Sequence, residues 1–310
     1  MGIVYHGSSV GGLKTIAPHQ STHGNYVYAT PEKLISLFFT KKDGDDMTYT
    51  LLKNGSSNEP WALVERIPNG FAKMFNNSAS IYTINDDTFI DLQTGFNEVG
   101  SEKEVTVLNE ERIDNVYEEI QKFAKEGKIK LYHYPNRPKE IPDDDNDLLQ
   151  KELKHLKRIN IPITKNSLYR LLLLRPNLLD EVNKVLQEHN QETFKKEDLI
   201  TIISQAVIFK ALYPERELYL ESAVIAISQV FPEYIDVYKE KLRFLTKTEE
   251  EKRTYFLNNL TLLFPNLSIE DQEILQQKYQ DDNREFKDIG IEVIEAINEH
   301  KIEKTTDINI

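Results

Sequence analysis

Three short stretches near the start of the chain hold the residue types that could do chemistry. In "IVYHGSS" (3–9) an alternating run ends on His6, followed at once by Gly7 and two serines. A histidine at a strand end has an acid–base and hydrogen-bonding ring on display, and the glycine after it lets backbone approach a planar ligand closely. In "GNYVYAT" (24–30) Gly24 and Asn25 turn the chain into a strand whose Tyr26 and Tyr28 share one face while Val27 takes the other. The third stretch, "GFNEVGSEKEVTVLNEERI" (95–113), offers several carboxylates on or beside late strands, Glu98, Glu102 and Glu104 among them.

Other chemistries are argued against by the same reading. There is no cysteine, so a disulfide framework, a thiolate metal site and a thiol nucleophile are all absent. His19 and His23 stand four apart, but "IAPHQSTHGN" has no helical period to bring them to one metal, so no metal is expected. The acidic run "DDDND" (143–147) has no calcium-loop glycine or terminal glutamate behind it and reads as a solvated helix N-terminus. No phosphate-binding glycine loop or nucleophile elbow occurs.

The elements that must position these residues fall into two textures. Up to about residue 115, short β-rich runs (IVYHG, YVYAT, WALVERI, SIYTI, TFIDL, EVTVL) alternate with Gly, Asn and Ser turns, the pattern of an α+β domain. "TPEKLISLFFTKK" (30–42) predicts a helix between them, with Thr30 as its cap, Pro31 in its first turn, and Leu34, Leu37 and Phe38 on one face. Trp61 is expected to anchor this domain's core. "VYEEIQKFAKEG" (116–127) predicts an amphipathic helix stopped by Gly127, and the proline-bearing, acidic 129–147 reads as a linker. From 148 onward the period is 3.6, and an all-α domain is expected over 148–310, with helices separated by prolines at uneven spacing.

The order and spacing of the first-domain residues resemble the ADP-ribosyltransferase superfamily, in its diphtheria-toxin-like and poly(ADP-ribose)-polymerase-like branch. The resemblance rests on a His-Gly-Ser strand, a Tyr-x-Tyr-Ala-Thr strand running into a helix, and an aromatic residue, Phe39, 11 positions after Tyr28. It covers residues 1–128 and implies a split β-sheet that binds NAD as substrate. By this resemblance His6, Tyr28 and Glu98 form the catalytic set, and Gly7, Ser8, Tyr26, Thr30 and Phe39 surround the NAD. The family's chemistry has a physical rationale. Breaking the nicotinamide–ribose bond passes through an oxocarbenium-like state that a nearby carboxylate stabilises. Tyr28 and Phe39 would sandwich the pyridinium, the Gly7 backbone would hold its carboxamide, and His6 would bond a ribose hydroxyl. Glu98 in "NEV" is preferred as the acid, although Val99 replaces the family's usual aromatic. Glu104 in "EKEV" is the rival, because its Glu-x-Glu form is that of the arginine-modifying transferases, whose first strand begins with Arg.

Composition bears on partners. With 51 acidic against 38 basic residues, a net charge of −13 repels phosphate backbones, so a protein acceptor is expected and nucleic acid is not. An RNA 2'-phosphate substrate, used by related phosphotransferases, needs arginines, and the first 60 residues contain none. No secretory signal or membrane span is legible, so a cytoplasmic location is expected. A catalytically inactive transferase-like domain serving as a binding or assembly module is the alternative from another class.

Overall fold

A computed structural model describes residues 2–21, 24–41, 47–53, 59–93, 97–216, 218–264 and 267–299. The chain divides into two compact units, 1–140 and 141–310.

The first unit is mixed α/β with curled, mostly antiparallel sheets. Its strands are β1 (Ile3–Ser8), β2 (Thr15–Ile16), β3 (His19–Ser21), β4 (Gly24–Ala29), β5 (Tyr49–Lys53), β6 (Trp61–Glu65), β7 (Ala79–Asn85), β8 (Ile90–Asp91), β9 (Val99–Ser101), β10 (Val105–Ile113) and β11 (Ile129–Tyr132). Helices α1 (Lys33–Phe38), α2 (Gly70–Phe75) and α3 (Val116–Lys125) lie between them. One sheet runs β1-β7-β10-β2, a second β3-β4-β9-β8, and a third β11-β6-β5. The first two face each other across a cluster in which Val4, Ile16, Val27, Ala29, Tyr82, Ile84 and Val105 are buried. Alternation along β4 sends Val27 and Ala29 into that cluster and leaves Tyr26 and Tyr28 on the other face, as period 2 requires.

Helix α1 begins later than the sequence suggests. Thr30 does not cap it: its backbone continues the strand, exchanging hydrogen bonds with Tyr5 at 2.7 and 3.0 Å, and its hydroxyl accepts from the Glu32 N–H at 3.2 Å. Two ladder bonds outweigh what one cap supplies, so Glu32 becomes the flanking residue. Leu34, Ile35, Leu37 and Phe38 are buried as the apolar face. Trp61 is buried at the start of β6. The stretch 129–147 contains β11, which pairs in parallel with β6, Ile129 opposite Trp61.

The second unit is helical throughout its described residues: α4 (Asn146–Arg158), α5 (Lys165–Leu174), α6 (Leu179–Glu188), α7 (Asp198–Leu212), α8 (Leu220–Val230), α9 (Ile235–Leu242), α10 (Glu249–Asn258), α11 (Leu260–Leu263), α12 (Ile269–Tyr279) and α13 (Phe286–Asn298). Pro176 and Pro232 each open a single 3₁₀ turn that leads into the next helix, where the missing N–H costs nothing. The acidic run before α4 is not wholly solvated. Asp145 is buried, with its Oδ2 3.6 Å from Nε of the equally buried Arg175, because a guanidinium taken out of water needs a counter-charge. Among the described residues no helix is long and apolar enough to cross a membrane.

Candidate functional site

The site residues converge where the two facing sheets meet along one edge of β4. Tyr5 and Thr30 form an isolated antiparallel bridge, so β1 touches β4 at this point, while β3 pairs with β4 further along, His19 opposite Tyr26. Between these two contacts β4 runs past Tyr28 with no neighbouring strand on that edge among the described residues.

Backbone accounting in this gap is informative. Along β1, alternation turns the N–H and C=O of Tyr5 and Gly7 away from β7 and toward β4. Tyr5 places both on Thr30. Gly7 would next place both on Tyr28, but among the described residues its N–H and C=O meet no partner there, and the Tyr28 carbonyl instead accepts from His6 Nδ1 at 2.7 Å. The result is one donor and one acceptor side by side at the rim of a sheet. Gly7 also carries helix α1 on its face: a Cβ there would stand 2.1 Å from the Ser36 carbonyl oxygen. Only a glycine lets α1 lie this close.

His6 is held in a definite state. A carbonyl can only accept, so Nδ1 bears the proton. Burial is the main force pushing its pKa below the ordinary 6.5; the Tyr28 carbonyl pulls the other way, and His19 adds to the lowering. The neutral ring therefore keeps a lone pair on Nε2, which makes no hydrogen bond among the described residues. The ring lies 6.3 Å from that of Tyr82, its opposite number on β7.

Tyr28 is half-buried, and its hydroxyl donates to the Gly24 carbonyl at 2.8 Å. Its ring packs edge-on to Tyr26 at 5.9 Å and tilted to His19 at 5.4 Å. His19, weighed from the sequence only as half of a metal pair, lies on β3 beside the Tyr28 ring. His23 lies outside the described residues. Phe39 sits at the C-terminal end of α1 and is 39% exposed, and among the described residues its ring does not pack against that of Tyr28. Ser8 uses its hydroxyl locally, accepting from the Val10 N–H at 3.1 Å.

The three candidate glutamates separate clearly. Glu98 stands immediately before β9, which pairs with β4 through Ala29–Val99, so it falls one residue beyond that pair, level with Thr30. Alternation puts Glu98 on the same face as Thr30 and Tyr28. It is half-buried, and its carbonyl accepts from the Leu92 N–H at 3.1 Å. Glu102 and Glu104 occupy the exposed turn between β9 and β10. His6, Tyr28 and Glu98 are thus carried by, or directly flank, three strands that adjoin in the order β1, β4, β9.

A fourth carboxylate emerges that sequence reasoning did not single out. Glu110, in the middle of β10 opposite Tyr82, accepts from Ser80 Oγ at 2.7 Å and from the Gly12 N–H at 3.0 Å, and lies 3.4 Å from the Tyr82 hydroxyl. These bonds, the Ser80 one foremost, hold its pKa below the ordinary carboxylate value. Its oxygens are committed to pinning the 9–14 loop over the sheet, a structural duty that a charged "NEER" run does not advertise.

Beside the gap, a cleft of about 530 Å³ is lined by Tyr5, Pro31, Glu32, Lys33, Lys53 and Trp61, among others. The helical unit has a separate cleft of about 630 Å³ walled by Tyr169, Phe194, Phe209 and Phe264. No group of three or more potential metal ligands occurs among the described residues. Comparison with family models, with curated proteins and with solved structures returned no match to the chain.

Proposed function

We propose that the first unit is an NAD-dependent ADP-ribosyltransferase that transfers ADP-ribose, with release of nicotinamide, to a protein acceptor. The observation that carries this reading is the open donor–acceptor pair of Gly7 in the gap between β1 and β4. A carboxamide presents one N–H donor and one C=O acceptor in the same spacing, so the strand edge is complementary to nicotinamide as it would be to another strand. The remaining groups fit the rest of the molecule. The ring of Tyr28 borders the gap on one side and Phe39, exposed at the end of α1, is available on the other to stack on a cationic pyridinium. The free Nε2 lone pair of His6 suits a ribose hydroxyl donor.

The reaction would break the bond between nicotinamide nitrogen and the anomeric carbon. The bonding pair leaves on the nicotinamide, which departs neutral, and positive charge spreads over the ribose carbon and ring oxygen. Glu98, on the Tyr28 face, would stabilise that charge as an anion. An acceptor nucleophile then bonds to the carbon and loses its proton, giving ADP-ribosylated acceptor, nicotinamide and one proton.

Incubation of the full chain with NAD labelled in both halves tests this. Nicotinamide should be released and the ADP-ribose label should appear on protein or in water, and Glu98→Gln should lower the rate by about 10²-fold or more, the scale of losing one preorganised charge from a developing ion. Glu104→Gln should leave it within about twofold. Absence of release by the wild-type chain refutes the reading and leaves a binding module.

A further inference from the structure

Glu32 flanks the first turn of α1 with extended backbone (φ −104°, ψ 108°), the position at which a side-chain oxygen ordinarily accepts from the helix's own N–H groups. It makes no such bond. Its Oε2 accepts from the Trp61 indole N–H at 2.7 Å, and its Oε1 accepts from the Asn97 side-chain amide and lies 3.4 Å from Lys53 Nζ. The Lys53 ammonium in turn sits 4.9 Å over the Trp61 ring. One carboxylate thus gathers β5, β6 and the residue immediately before Glu98.

Asn97 is the consequential partner. Its backbone is left-handed (φ 53°), a conformation that asparagine tolerates better than most residues, and it turns the chain into Glu98 and β9. Downstream, Glu98 is fixed by the pairing of Val99 with Ala29. Upstream, among the bonds just described, its neighbour is fixed by Glu32.

We propose that Glu32 is a positioning residue of the transferase site: by holding Asn97 it sets where the Glu98 carboxylate stands relative to the Gly7–Tyr28 gap. This rests on the transferase reading above. Glu32 does not touch the reacting atoms in this scheme, and its effect is distinguishable from general stabilisation by where it falls. NAD in its ground state is held by Gly7, His6 and the aromatics, whereas Glu98 acts on charge that exists only in the transition state. Misplacing Glu98 must therefore lower kcat with little change in KM.

A polarity exchange provides the test. In Glu32→Gln, the amide end can keep the Trp61 bond or face Asn97, but one of its groups then opposes a donor with a donor. In Asn97→Asp alone, two carboxylates confront each other. In the double variant Glu32→Gln/Asn97→Asp, the amide introduced at 32 donates to the carboxylate introduced at 97, while its carbonyl still accepts from Trp61; net charge is conserved. Each single variant is expected to lower kcat for nicotinamide release by about 30- to 100-fold, the scale of a 1 Å misplacement, with KM for NAD within about threefold. The double variant should recover kcat to within about fivefold of wild type. Amide hydrogen exchange across 98–101 should quicken in the singles and revert in the double. Trp61, the one tryptophan of the chain, reports in every variant whether its indole keeps its acceptor. Should a single variant fail to fold, the double variant, with its bonds restored, carries the test alone: folded and active within fivefold supports the inference, folded and inactive overturns it. Undiminished kcat in the singles, or a loss confined to KM, overturns the positioning role while leaving the transferase reading intact. A wild-type chain that releases no nicotinamide overturns both.

Discussion

Replacing Gly7 by alanine would test the geometry of the site at its narrowest point. The added Cβ would lie 2.1 Å from the Ser36 carbonyl oxygen, 2.7 Å from Thr40 Cγ2 and 3.1 Å from the Ser36 carbonyl carbon, where contacts under 3.0 Å essentially never occur. Thr40 can adjust, but Ser36 contributes main chain in mid-helix, so α1 as a whole must retreat from β1 by about 0.9 Å. That retreat loosens Leu34, Ile35, Leu37 and Phe38 together, and overpacking against an unyielding backbone falls at the upper end of the usual range, about 3 kcal/mol. For a unit of this size about 3 °C of melting temperature goes with each kcal/mol, so the first unit should melt roughly 9 °C lower. Gly127→Ala is the control: its φ of +75° strains any side chain, but nothing lies within 4 Å, so only the backbone cost of about 1 kcal/mol applies. Thermal unfolding by circular dichroism of the three proteins checks this. Gly7→Ala melting at or above the Gly127→Ala temperature would show that α1 does not rest on the glycine, and the account of the site's floor would be wrong. On the transferase reading, nicotinamide release should still be lost at temperatures where Gly7→Ala is folded, because Phe39 moves with α1.

Two further outcomes are expected. Tyr82→Phe removes a fully buried hydroxyl that donates to the Val10 carbonyl at 2.8 Å and accepts from the Leu13 N–H at 3.2 Å; urea unfolding should show a loss of about 1–2 kcal/mol, with faster exchange of the Leu13 amide, and an unchanged midpoint would refute the role given to it in tying down the 9–14 loop. Because the His6 pKa lies below its unfolded value of 6.5, the unfolded chain takes up that proton first as pH falls, so stability from this group is complete above about 6.5 and declines below it; wild type should lose urea resistance between pH 7 and pH 5 more steeply than His6→Gln, and parallel curves would contradict the buried, neutral ring.

What the sequence made legible follows the range of the interactions. Strands β1, β4, β6, β7 and β10 were readable because each alternates over several residues, and the helical half because its apolar stripes repeat locally. The two-residue β2 and the three-residue β9 carry no period of their own and pair with β10 and β4, far along the chain, whereas β8 falls inside the run TFIDL that the sequence already marks as β-rich. β11 lies in a stretch whose prolines suggest a linker, and its parallel pairing with β6 is invisible to any local pattern. The same divide runs through the site. His6, Gly7 and Tyr28 could be picked out by type and spacing. The neighbours that act on them could not: His19 against the Tyr28 ring, Glu110 under the 9–14 loop, and the Glu32–Trp61–Asn97 junction, each of which joins residues at least nine positions apart in ways that composition does not encode.

The gap along β4 also explains why a strand should forgo two ladder bonds at its own rim. β1 and β4 part after a single bridge because α1, entering directly from β4, must pack back over β1, and it can do so only where β1 lacks a side chain. Gly7 satisfies the helix and, in the same step, leaves its N–H and C=O facing outward with no strand to meet them among the described residues. On the transferase reading, the groups that recognise the carboxamide are therefore main-chain atoms that no side-chain substitution can delete. Ser8 and Thr30, whose hydroxyls bond locally to the Val10 and Glu32 N–H groups, should tolerate alanine with most activity intact, whereas recognition fails whenever α1 is displaced. Sensitivity of the site should thus follow the helix–strand contact and not the polarity of the residues around it.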